Sequence, residues 1–175
     1  EPDMIEWIKS KAKIMIQNGQ WQQIQNQAIV NTRKQINNPK PVAGISDAKV
    51  TKVWYYKPLI TVRKDITDGS GHIIAKAGTY NALKFKPMDE QLLFINGENL
   101  NQVKWAINQV KHSEILSKII LTKGSFLKLD KQYKIWFYYD QNGKYTSRLK
   151  ITHVPAIVSQ ENNQLKIMEI SNKEI

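Results

Sequence analysis

The sequence contains no cysteine, and that absence removes disulfides, thiolate nucleophiles, sulfur-ligated zinc and dithiol redox chemistry together. Arginine is scarce: three of the 26 basic residues, although it is the side chain suited to bidentate phosphate and base contacts. Long hydrophobic runs are missing. The longest aromatic-aliphatic run, Ile135 to Tyr139, is far short of the roughly 18 apolar residues that a membrane-spanning helix needs, so no membrane span is expected. There is no initiator Met or charged-then-apolar leader before Glu1-Pro2, which reads as a processed mature chain or a trimmed one and decides nothing about export.

What is present is enough to fold. The 175 residues are 41% hydrophobic, with five Trp and seven Tyr, which fits one ordinary domain or a small domain with an appendage and excludes disorder throughout. The formal net charge of +11 suits an anionic partner such as nucleic acid, a membrane surface or an acidic protein. The excess is spread along the chain with no basic tail or block, and Lys, Asn and Ile are abundant throughout. A basic nucleic-acid-binding module is the alternative functional class, with steeply salt-dependent DNA retention as its signature.

Residues 1–40 read as a helical arm. Ile5, Ile8, Ala12 and Met15 follow the spacing of one helix face, and Trp21, Ile24 and Ala28 resume it out of phase after Asn18-Gly19. The Gln-rich stretch Gln17 to Gln27 is polar on most sides. The arm therefore either folds back on the main domain or binds a partner. Asn37-Asn38-Pro39-Lys40-Pro41 breaks the helix and opens a segment, 41–87, read as a linker and a β-hairpin unit. In it Val50 to Tyr56 and Ile60 to Ile66 carry strand residues, and Asp68-Gly69-Ser70-Gly71 is a turn before a return strand ending at Gly78.

From residue 88 strands and helices alternate. Strands are expected at Leu92 to Ile95, Ile119 to Thr122, Ile135 to Tyr139, Ala156 to Ser159 and Leu165 to Ile170, the last two forming an antiparallel pair. Helices fall around Val103 to Val110 and Phe126 to Tyr133, with one or two helical turns between Asp140 and Lys150. That order predicts a mixed α/β sheet flanked by helices, and it is the order of a thioredoxin-like fold. Val154-Pro155, where a proline enters an apolar strand, is expected to be cis and to mark that fold's cleft.

A redox thioredoxin sets a Cys-x-x-Cys pair against that proline; here Lys123-Gly124-Ser125-Phe126 is the expected counterpart and no thiol exists to be activated. Ser125 reads as a helix cap. His72, His112 and His153 lack metal-site spacing, and Gly69-Ser70-Gly71 lacks the third glycine of a nucleotide loop. No catalytic residue, metal or cofactor is expected. The expected partner contacts are the arm positions Ile5, Ile8 and Trp21, the strand aromatics Trp54 and Tyr56, and the main-chain edge at Thr152, His153, Val154 and Pro155.

The segments Ile60 to Leu83, Gln91 to Ile107, Lys118 to Ser125 and Tyr138 to Ile170 strongly resemble the TraW family of F-type conjugative type IV secretion systems. The shared residues include Gly71, Gly78, Asn81, Phe94, Gly97, Gln102, Trp105, Gly124, Asp140, Gln141, Gly143, Val154, Pro155 and Glu169. The chain departs from the family pattern at Lys57 and Ala82. The resemblance implies a non-enzymatic, exported protein of the periplasm, acting in pilus assembly and mating-channel biogenesis. It also implies a TrbC-like protein as a close partner, beside other type IV secretion components.

Overall fold

The computed structural model describes residues 3–175; Glu1 and Pro2, the start of the expected arm, lie outside them. Backbone contacts divide the chain into two units, Glu1–Pro39 and Lys40–Ile175.

The first unit holds two helices, α1 (Met4–Gln17) and α2 (Gln20–Asn37). Asp3 caps α1 by accepting from the Ile5 amide at 3.0 Å. The helices part at Gly19, whose φ of +76° is left-handed backbone that glycine adopts without a steric cost. Neither helix has a buried residue.

The second unit contains β1 (Ser46–Asp47), β2 (Lys52–Tyr56), β3 (Leu59–Val62), β4 (Ile66–Thr67), β5 (Ile73–Ala75), β6 (Gly78–Asn81), α3 (Ala82–Phe85) and β7 (Glu90–Asn96). There follow α4 (Leu100–His112), β8 (Leu116–Lys123), α5 (Phe126–Tyr133), β9 (Phe137–Tyr139), a 3-10 turn (Gln141–Gly143), α6 (Lys144–Leu149), β10 (His153–Val154), β11 (Ala156–Glu161) and β12 (Gln164–Glu169). Six strands make one mixed sheet in the order β2-β12-β11-β7-β8-β9. β7, β8 and β9 run parallel, whereas β11 is antiparallel to β7, β12 to β11 and β2 to β12.

Both faces of the sheet centre are covered, which is why Leu92 to Ile95 and Ile119 to Thr122 read as nearly continuous apolar runs. On one face α4 and α5 bring Val103, Ala106, Ile107 and Leu129 onto Leu93, Ile95, Ile119, Leu121 and Phe137. On the other, Phe94, Ile120, Val158 and Ile167 pack with Leu149, Ile151 and Val154. Just past the end of β9 the buried carboxylate of Asp140 accepts from the amides of Tyr145 and Thr146 and from the Thr146 hydroxyl, fixing the start of α6.

Lys52–Tyr56 was expected inside a separate hairpin unit; it instead pairs with β12 and forms an edge of the main sheet. What remains of that unit is a two-stranded ribbon, β3 with β6 and β4 with β5. At its tip Asp68 Oδ1 accepts from the amides of Ser70 and His72, both at 2.9 Å, and the His72 amide leads the contacts that hold this carboxyl below the usual carboxylate range. The peptide between Val154 and Pro155 is cis.

Candidate functional site

Of the three parallel strands, the one hydrogen-bonded to β11, and so beside Pro155, is β7. The helix start that faces the proline is therefore that of α4, at Asn99 to Gln102, and not Lys123 to Phe126 after β8. Sequence order favoured the wrong turn because the sheet's spatial order is not its chain order. The two turns do abut: the Gly97 amide donates to the Lys123 carbonyl at 2.9 Å. A Cβ on Gly97 would lie 2.8 Å from that oxygen, and one on Gly124, at φ +94°, would lie 3.1 Å from the Gly97 carbonyl carbon.

Asn99 caps α4 by accepting from the amides of Asn101 and Gln102. The Gln102 side chain is wholly buried. Its Oε1 accepts from the Asn96 amide at 2.8 Å. Its Nε2 faces three acceptors: Asp47 Oδ1 at 3.0 Å, the Val154 carbonyl at 3.2 Å and Asn172 Oδ1 at 3.1 Å. One amide thus joins the end of β7, the β1 segment, the approach to Pro155 and the C-terminal tail. Buried polar groups are tolerated when satisfied in this way.

A second buried polar group holds the loop from below. Glu169 is 2% exposed; its Oε1 accepts from the amides of Thr152 and His153 at 2.7 and 2.8 Å, and Oε2 lies 3.1 Å from His153 Nδ1. These contacts offset the cost of removing a carboxylate from water.

The edge expected to receive a partner beside Pro155 is already filled. β1 pairs with β10 in parallel, the Ser46 amide donating to the Thr152 carbonyl at 3.1 Å and the Ala48 amide to the Val154 carbonyl at 2.9 Å. Upstream, the Val42 amide donates to the Thr122 carbonyl at 2.8 Å and the Tyr139 hydroxyl to the Lys40 carbonyl at 2.7 Å. Burial, helped by the charges of Asp140 and Glu98, pushes the Tyr139 phenol up to about 12. Segment 40–48 is a strap across the cleft. One pocket beside it, about 50 Å³ between Val42, Ile45, Asp47, Asn96, Thr122 and Val154, is far below the size of a substrate site, and a larger hollow of about 520 Å³ over Asp47, Asn96 and Asn99 to Asn101 is shallow and open to solvent. Among the described residues no three His, Cys, Asp or Glu side chains converge as a metal site would require.

Thr152, His153, Val154 and Pro155 sit together, but Val154 and Pro155 are buried and only Thr152 and part of His153 reach solvent. Trp54 and Tyr56 were expected as partner contacts; both turn inward. The Trp54 Nε1 donates to the Leu149 carbonyl at 3.0 Å, and both rings pack on the Phe94–Ile167 cluster. Alternation along β2 exposes Val53 and Tyr55 instead. Ile5, Ile8 and Trp21 are exposed on the first unit. Sequence reasoning missed Gln102, Asp47 and Glu169 as the groups that build this site. Gln102 shares a helix face with Ala106, and Glu169 continues the inward positions Leu165 and Ile167; a polar side chain on each apolar face was the available signal.

The second unit is thus a mixed α/β domain whose cleft is crossed by its own chain. Protein TraW of Escherichia coli (strain K12) is 32% identical to this chain over 160 residues, covering 91% of the chain and 76% of that relative. The chain belongs to the TraW family. No protein-family model matches it, and no solved structure does.

Proposed function

We propose that this chain is a non-enzymatic, periplasmic assembly component of a conjugative type IV secretion system. It acts in pilus assembly and mating-channel biogenesis by holding TrbC-like and other secretion proteins. Kinship with TraW over nine-tenths of the chain supports the reading. The sheet order β9-β8-β7-β11-β12, with three parallel strands followed by two antiparallel ones, supports a thioredoxin-like scaffold kept for its shape. In that scaffold Asn99 to Gln102 occupy the position of the reactive pair.

The observation that carries a binding role is the first unit. Its helices bury nothing, and exposed apolar surface gathered on one element marks an interaction site. On α2 the seam is narrow, with Trp21, Ile24 and Ala28 on one side among neutral Gln and Asn residues, as in a helix that lies in a protein groove. Thr152 and His153 at the cleft rim are a second contact. Recovery of the TrbC-like protein with a tagged chain from the periplasmic fraction tests this. Trp21→Asp with Ile24→Asp is expected to reduce recovery by at least about tenfold. Undiminished recovery would remove α2 from the interface, and a chain confined to the cytoplasmic fraction would end the periplasmic reading.

A further inference from the structure

We propose that α1 lies in the plane of an anionic membrane surface. The proposal concerns a different helix from the protein-docking seam of α2 and stands independently of it. At 100° per residue, Met4, Ile5, Ile8, Ala12, Met15 and Ile16 fall within an arc of about 120°. Lys11 lies just outside one border of that arc and Lys9 just outside the other, while Lys13, Glu6 and Gln17 occupy the opposite side. Trp7 stands beyond Lys11, whose Nζ is 5.8 Å from the ring centroid.

Each feature has a reason in an interface. Lysines at both borders of an apolar face bury their methylene stems beside it and raise their charges into the headgroup layer. A tryptophan at the border puts its ring at headgroup depth. On the arc Met4, Ile5, Ile8 and Ile16 expose between 53% and 76% of their surface while Ala12 and Met15 are half-buried, so most of the face is available; Ile14, like Trp7, lies off the arc. Among the described residues no helix is long and apolar enough to cross a membrane, so α1 would lie on the bilayer and not span it.

Charge selects this occupant over another helix. A second copy of α1 would set Lys9 and Lys11 against their own kind along the seam, and like charges at flanking positions oppose pairing. A layer of anionic headgroups meets both borders at once, and each lysine near such a surface adds to the attraction.

Flotation of the full chain with vesicles tests the proposal. The chain is expected to float with vesicles of phosphatidylglycerol and phosphatidylethanolamine in equal parts, and to float far less with phosphatidylcholine alone. Ile5→Asp with Ile8→Asp should weaken the first partition by at least about tenfold. Lys9→Glu with Lys11→Glu, which leaves the apolar arc intact, should weaken it by about tenfold or more. Trp21→Ala on α2 should leave it unchanged. Equal flotation of the wild type and the Ile5→Asp, Ile8→Asp variant would overturn the proposal, as would equal affinity for both vesicle types. Loss of a protein partner from that variant with vesicle binding intact would assign the face to protein and overturn it too.

Discussion

The side-chain amide of Gln102 donates to the main-chain oxygen of Val154 at 3.2 Å, so the start of α4 and the approach to Pro155 are joined directly. The same nitrogen reaches Asp47 in the strap. The first turn of α4 serves here as a latch.

Gln102→Ala removes the acceptor for the Asn96 amide and one donor from each of Asp47, Val154 and Asn172. The expected cost is about 2–4 kcal/mol by chemical denaturation, because the Asn96 amide loses its acceptor and a wholly buried side chain leaves a cavity behind. Amide exchange at Ser46 and Ala48 should accelerate more than exchange in β8. Equal protection of the strap in both proteins would show that it is held without the latch.

Two tryptophans on strands or at their ends should behave oppositely. Trp54→Ala opens a space beside the Phe94–Ile167 cluster and abandons the Leu149 carbonyl, for an expected loss of about 3–5 kcal/mol. Trp136 is 78% exposed, and Trp136→Ala should change stability by less than about 0.5 kcal/mol. Similar losses from both would contradict the assignment of sides in the sheet.

Tyr139 makes stability fall in alkali. Its phenol ionises at about 12 in the fold, against an ordinary value of 10.0. Between those values the unfolded chain has released the proton and the folded chain has kept it. The stabilisation is whole below pH 10 and is lost as pH rises towards 12. Denaturation midpoints measured across that window should fall more steeply for the wild type than for Tyr139→Phe. Parallel curves would exclude the effect.

The elements with long periodic signals were legible in the sequence. Ser125 does cap a helix over Phe126 to Tyr133, and the strands around Leu93, Ile120, Val158 and Ile167 lie where β-branched and leucine residues cluster. Helix α1 was legible from the spacing of Ile5, Ile8, Ala12 and Met15. The strap was not, because β1 is only Ser46-Asp47 and two residues carry no period. Neither was the side on which the aromatics of β2 face, since Trp54-Tyr55-Tyr56 is apolar at every position and only its pairing with β12 decides which rings turn inward. The cleft was assigned to the wrong turn for a related reason. Which parallel strand neighbours β11 depends on the whole sheet and on no local run of residues.

The second unit also binds its own two ends together. The Asn172 amide donates to the Ala48 carbonyl, the Ser171 amide to Thr51 Oγ1 and the Ser171 hydroxyl to the Lys49 carbonyl, while the Thr51 hydroxyl donates to Glu174. A pull applied between those ends meets the bonds of the strap to Thr122, Thr152 and Val154 on one side and this short bridge on the other, so tension is shared by the strap and the clasp before the helices that cover the sheet are loaded.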